Sequence, residues 1–368
     1  MVKYNLKPFK EKGFQKLIYL FFLVTIFFVG TIIYSRDIEF GFYKFLYFIL
    51  GNFVVIISTY ILFKYHCDFL LKRGVYFITL LAAISVFVIF AFPPFEYGAV
   101  YQFRLSRWSH VFYGRFIGSV FLIWYIFIFL SDENILPSAK VFGKFYNKYK
   151  YLINSFVLII LSYGLYLSGL RGSILFILII ITTIFLYNLF RNKINLEKIF
   201  YFIISVLTIL SLIYFNNPKD EVLDFRYKAF FKFYDDSEYT EGSIMDRFEG
   251  YKLALKMFSE KPVIGYGLGS FRSYYDNDFL KMLKYPHNIF LEALAEMGLI
   301  GFSIILFLLI TIFIGAFRYS ISTFFFLIYP FGLSLFSKDI PTQTLLWSGL
   351  ALLFINEERG KKIFTDKN

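Results

Sequence analysis

The sequence predicts an all-α polytopic membrane protein with about ten membrane-spanning helices, in a range of roughly nine to twelve. Three observations predict it. Apolar residues fill 58% of the 368 positions and charged residues only 17%, where a soluble domain has roughly half and a quarter. The excess is gathered into long runs such as Ser155 to Phe190, interrupted only near Gly169-Leu170-Arg171-Gly172; about 18 or more apolar residues in a row read as a span. Clustered lysines and arginines, finally, alternate loop by loop with stretches that carry few, which is the pattern that orients helices in a bilayer.

Lys3, Lys7, Lys10, Lys12 and Lys16 precede the first apolar run, 17–34, and place the N-terminus in the cytoplasm. That run has a basic flank without an A-x-A-like cleavage site, so it reads as a retained signal anchor. Further spans are expected at 41–63, 74–92, 115–131, 151–169, 172–190, 199–215, 288–316, 321–336 and 343–356. Lys64, Lys72 and Arg73 follow the second span, Lys140, Lys144, Lys148 and Lys150 the fourth, and Arg191, Lys193 and Lys198 the sixth. Arg359, Lys361 and Lys362 put the C-terminus on the same side. Pro93-Pro94 ends the third span and Pro330 should bend the ninth, because proline cannot continue the backbone ladder. The whole of 1–368 is expected to form one integral membrane domain.

The net charge of +12 is explained by this topology and calls for no nucleic-acid partner. A single cysteine, Cys67, excludes a disulfide framework. His66, Cys67 and Asp68 are adjacent and poorly arranged to chelate, so no metal site is expected. The 53 phenylalanines and 30 tyrosines partly supply interfacial belts, although a compositional bias explains them as well.

Two external segments stand out. One, about 96–114, carries Arg104, Arg107, Trp108 and His110, with the indole a stacking face for sugar. The other is the long loop 216–286. Loops of this length inside compact architectures are usually functional or disordered. A helix is expected from Ser243-Ile244-Met245-Asp246, a capping-box-like start, to Ser259-Glu260-Lys261-Pro262. Ile244, Phe248, Tyr251, Leu255 and Phe258 form one apolar stripe, expected to lie against the bundle on the outer membrane surface. Arg247 sits on its shoulder and either points into a cavity or is a solvated surface arginine. Gly265-Tyr266-Gly267-Leu268-Gly269-Ser270 follows; its flanks lack the strand and helix of a nucleotide fingerprint, so it reads as a flexible turn returning the chain to the bundle.

The return leads into Tyr285-Pro286-His287-Asn288, then the apolar helix bearing Glu292 and Glu296, one turn apart. Histidine titrates near neutral pH and can take a proton from a hydroxyl. The glutamates either orient His287 or bind sugar hydroxyls, or sit at a solvated helix end. Arg171, between two spans in Ser168-Gly169-Leu170-Arg171-Gly172-Ser173, is either a functional charge at membrane depth or an arginine reaching head-group phosphates.

Three segments, in this order, resemble the O-antigen polymerase and ligase superfamily of bacterial envelope glycosyltransferases. They are Ser168–Ser173, Asp246–Phe271 and Pro286–Gly301, and the similarity runs from about Tyr151 to Gly301. The resemblance implies a GT-C-like membrane fold and a transfer of glycan from undecaprenyl diphosphate to a sugar hydroxyl, at the outer face of the cytoplasmic membrane, without cofactor or metal. It implies His287 as the base and Arg171 and Arg247 as the residues holding the diphosphate. Glu292, Arg104, Arg107, Trp108 and His110 remain candidate substrate contacts. Where the family often has Ser-Arg, this chain has Leu170-Arg171, which keeps the guanidinium and puts a neighbouring hydroxyl in doubt. Implied partners are the lipid-linked oligosaccharide, membrane lipids, and a chain-length regulator with other polysaccharide assembly proteins. The expected function is a repeat-unit polymerase of O-antigen or surface polysaccharide, with a ligase delivering polymer to lipid A core as the alternative. A flippase for the same lipid-linked glycan is a third reading, against which the charges lie at external helix ends and no internal repeat is visible.

Overall fold

The computed structural model describes residues 11–65, 74–91, 107–130, 140–168, 170–214, 242–274, 284–319, 321–336, 339–351 and 354–355. They are helical, with no strand among them. Their helices are α1 (Lys12–Ile33), α2 (Ile38–Tyr47), α3 (Val54–Tyr65), α4 (Val75–Ala91), α5 (Arg107–Leu130), α6 (Lys140–Ser168), α7 (Arg171–Phe190), α8 (Leu196–Tyr214), α9 (Gly242–Glu260), α10 (Ile289–Tyr319) and α11 (Ile321–Ser334). Residues 344–351 form a further helical stretch. Seven described segments are long and apolar enough to cross a membrane: Lys12–Ile33, Ile38–Leu62, Tyr113–Leu130, Lys148–Ser168, Arg171–Phe190, Leu196–Tyr214 and Ile289–Phe317. The expected spans at 74–92 and 321–336 coincide with shorter apolar helices, Phe77–Val86 and Ile321–Ser334. Pro330 lies inside α11, which ends at Ser334. Cys67, His66, Pro93-Pro94 and Arg104 lie outside the described residues.

The chain divides into two compact units, one from Met1–Cys67 with Glu238–Asn368, the other from Asp68–Ser237. In the first, α1, α3 and α10 share a core with the helical stretch at 344–351, through Phe21, Phe28, Phe48, Ile56, Ile305, Leu308, Trp347 and Leu350. Phe48 is its centre, with the rings of Phe21 at 5.4 Å and Phe28 at 4.7 Å. It opens a π-helical turn, Phe48–Phe53, that joins α2 to α3. The turn brings Asn52 inward, where its amide donates to the Pro341 carbonyl at 2.7 Å.

The second unit packs α4 to α8. Two glycines permit its closest approaches: a Cβ on Gly164 would stand 2.5 Å from Val86, and one on Gly114 would stand 2.8 Å from the Ser168 hydroxyl. At the other end of these helices the Lys198 ammonium donates to the carbonyls of Phe129 (2.8 Å) and Lys193 (3.1 Å) and to Asn188 (3.2 Å). These groups belong to or follow the last turns of α5 and α7, where carbonyls lack intrahelical partners and a cation is favoured. Lys198, in the first turn of α8, therefore also serves as a cap for its neighbours.

Candidate functional site

His287 is held by the way α10 begins. Asn288 is the cap: its side-chain oxygen accepts from the backbone N–H of Phe290 (3.0 Å) and Leu291 (3.1 Å), and its amide donates to the Leu335 carbonyl (3.2 Å). An asparagine in that position satisfies donors the helix cannot. His287 immediately precedes it with φ 58°, a left-handed conformation that costs a non-glycine residue roughly 1–3 kcal/mol and persists only where the surroundings impose it. Its half-buried ring meets Tyr285 edge to face at 4.6 Å. The imidazole thus stands at the positive end of a helix, where anions are favoured.

Two turns further on, α10 breaks. Gly298 has φ 63° and ψ −161°, far from helical values. The break is filled by the glycine-rich loop. Leu299 N–H donates to the Pro262 carbonyl at 2.8 Å and Ile300 N–H to Val263 at 3.2 Å, while Tyr266 and Gly267 N–H donate to Ala295 (3.2 Å) and Glu296 (2.7 Å). A helix interruption in a membrane protein needs such replacement partners. Gly265 has φ 69° and Gly267 φ 95°; added Cβ atoms would lie 2.5 Å from the backbone of Glu296 and of Ser35, respectively. The loop expected to be a flexible turn is instead a buried wedge, set between α10 and the α1–α2 connection.

Glu292 and Glu296 are not at a solvated end. Both are fully buried, together with Lys44 of α2. The Lys44 ammonium donates to Glu292 at 2.6 Å and to both oxygens of Glu296 at 2.9 Å. Ile340 N–H donates to the second oxygen of Glu292 at 2.8 Å, and Phe271 N–H to Glu296 at 3.3 Å. The triad therefore ties together α2, α10, the glycine loop and the 339–343 turn. Removing one partner of such a buried pair costs about 3–5 kcal/mol, because the other is left charged and uncompensated. Sequence reasoning passed over Lys44, although a lysine inside an apolar run is itself a signal.

The helix α9 lies against the first part of α10. Its buried residues are Gly250, Leu253, Ala254 and Met257, which pack with Ala295 and Leu291. Of the stripe expected to face the bundle, Phe248 and Leu255 are exposed and Tyr251 and Phe258 half-buried, while the Ile244 side chain lies outside the described ones. The close approach explains the exchange, since a Cβ on Gly250 would be 3.5 Å from the Cα of Pro286, and small side chains permit that spacing. The contact sets Arg247, one turn before Gly250, beside the segment that carries His287. Arg247 is half-buried. Burial pushes the Tyr251 hydroxyl above its ordinary value, and the nearby Arg247 charge pulls it partway back.

A second group of charges surrounds the start of the glycine loop. The Arg36 guanidinium lies 4.8 Å from the Tyr266 ring centre and 5.3 Å from that of Tyr274, and Lys261 stands 4.5 Å from Tyr266. Glu260 accepts a hydrogen bond from the Tyr266 hydroxyl. That bond holds the carboxyl below its usual range and raises the phenol. Arg272 pairs with Asp37 at 3.0 Å, and Asp37 caps α2 through Phe40 N–H at 2.9 Å.

In the other unit, Arg171 is the first residue of α7, half-buried, with no acidic residue in that first turn. A cation is disfavoured at a helix N-terminus, so helix stability does not account for it. The same terminus is the end of a helix at which an anion is favoured. Arg107, Trp108 and His110 lie in the opening turn of α5, ahead of Gly114, which abuts the turn at Ser168 and Leu170. The structure thus places Arg247, His287 and Glu292 in one unit, and Arg171 with 107–110 in the other.

Residues 156–306 match the family model for O-antigen ligase, Wzy_C. The matched segment covers somewhat less than half of the chain, and it takes in Arg171, Arg247, His287, Glu292 and Glu296. Lys44, Arg104, Arg107, Trp108 and His110 fall before it. No curated protein matches the chain at a significant level. The O-antigen ligase match establishes the resemblance to the O-antigen polymerase and ligase superfamily. Together with the seven candidate spans, it is consistent with an integral membrane protein.

Proposed function

We propose that the protein transfers a glycan from undecaprenyl diphosphate to a sugar hydroxyl at the outer face of the cytoplasmic membrane, as a repeat-unit polymerase of surface polysaccharide. The observation that carries this reading is the placement of His287. Within the O-antigen ligase match it is held in a left-handed conformation at the capped start of α10, beside the helix that bears Arg247. The His287 imidazole takes the proton of the acceptor hydroxyl. The acceptor oxygen bonds to the anomeric carbon as the bond from that carbon to the diphosphate oxygen breaks. The electron pair leaves on the diphosphate, whose growing charge Arg247 stabilises through paired N–H groups. On the strength of the family match, Arg171 is assigned the same task, and no metal is required for it.

Transfer of finished polymer to lipid A core is the second reading, favoured by the ligase description of the matching family. Both are tested in cells lacking the gene and complemented with wild type, Arg171→Lys or Arg247→Lys. Surface glycan carrying a single repeat in the deletion marks a polymerase, and complete polymer held on the carrier marks a ligase. The lysine variants keep the charge and lose the fork, so each should leave about a tenth of the product or less. Full product from both would contradict bidentate holding of the diphosphate.

A further inference from the structure

The first unit carries its own ruler for the bilayer. At one end of the α2–α3 helix lies the Lys44, Glu292 and Glu296 triad. At the other, Lys64 pairs with Glu11, and Tyr60 donates to the same carboxylate at 2.9 Å. Lys44 and Lys64 are twenty positions apart, about 30 Å along a helix at 1.5 Å per residue. That is the thickness of a hydrocarbon core. At the level of Gly298, two residues after Glu296, α10 begins a stretch of similar length, Leu299–Tyr319.

The turn Pro262–Ile264 sits at that same level. It is bonded to Leu299 and Ile300 through the backbone, and the Tyr34 hydroxyl, just past the end of α1, donates to the Ile264 carbonyl at 2.8 Å. Val263 is 57% exposed and Ile264 47%, as are Leu299 and Ile300 at 47% each. These side chains form one apolar surface, continuous with the exposed Phe307, Ile310 and Ile314 further along α10. Lys256 and Lys261, both exposed, stand just outside it.

We propose that the Pro262–Ile264 turn docks into the lipid bilayer, with Val263 and Ile264 in the outermost acyl layer and Lys256 and Lys261 at the head-group phosphates. The turn anchors the lower end of α9 and so fixes the height of Arg247 over the membrane. Which leaflet it enters rests on the orientation proposed above; the docking itself does not. The apolar side chains enter because burial in acyl chains removes them from water, and the cations remain in the anionic head-group layer.

The test uses the full chain with Cys67→Ser, carrying Ile264→Cys or Lys252→Cys and an environment-sensitive fluorophore. It is reconstituted in nanodiscs of phosphatidylethanolamine and phosphatidylglycerol, with or without a lipid bearing a shallow doxyl spin label. Lys252 is the aqueous reference, its side chain 74% exposed. Doxyl lipid should quench the Ile264 label several-fold more than the Lys252 label, and iodide should do the reverse. Equal iodide quenching at both positions overturns the proposal, and so does protection of Ile264 from both quenchers, which would mean that protein covers the turn. Val263→Cys repeats the measurement should Ile264→Cys fail to give a monodisperse protein. Lipid quenching at Ile264 alongside full transfer by a His287→Ala protein would leave the docking intact and remove the assignment of the base.

Discussion

The two parts of α10 on either side of Gly298 are built for different purposes. From Leu299 onward, once the Leu299 and Ile300 N–H groups have been taken up by Pro262 and Val263, it is a plain apolar helix with Phe307, Ile310, Ile314 and Phe317 exposed. From Ile289 to Met297 it carries two carboxylates, both buried, and its side chains and carbonyls bond to α2, the glycine loop and the 339–343 turn. The contrast teaches where the fold invests its specificity. The outward row of the lipid-crossing part needs only to be apolar, whereas the part next to His287 is fixed by partners remote in sequence.

Lys44→Met tests the buried side of the contrast most severely. It leaves Glu292 and Glu296 without their cation, a loss of about 3–5 kcal/mol, read as a large fall in the melting temperature of the solubilised protein. Adding Glu296→Gln should recover part of that loss. Gly298→Ala comes next. The position has φ 63°, and its Cβ would lie 2.4 Å from the Val263 carbonyl oxygen, so a cost of about 1–3 kcal/mol is expected. By contrast Phe307→Ala, on the lipid-facing row, should change the same melting curve by less than about 0.5 kcal/mol. Equal effects at Gly298 and Phe307 would erase the distinction.

The fold class and the main spans were legible because a bilayer forces long apolar runs and sorts basic residues by side. His287 and Arg247 were legible as chemistry-bearing types at helix boundaries. What joined them was not. Lys44 and Glu292 are 248 positions apart, and nothing local in either predicts the other. The apolar stripe on α9 is visible in the sequence, but which face of the helix packs is not. Periodicity reports which residues share a face, whereas Gly250 and Ala254 decided which face approaches α10. The wedge formed by Gly265, Gly267 and Gly269 depends on a backbone-to-backbone fit with Ser35, Gly41 and Glu296, for which the sequence shows only the glycines.

The proposed transfer depends most on His287 taking the acceptor proton. It is tested by purified protein in nanodiscs with purified lipid-linked glycan, comparing wild type with His287→Ala over a range of pH. General-base catalysis contributes roughly 10²- to 10⁴-fold. A loss of transfer of at least about 10²-fold at neutral pH is therefore expected, in a variant that keeps the wild-type elution profile and melting temperature. Transfer at the wild-type rate by His287→Ala would contradict it.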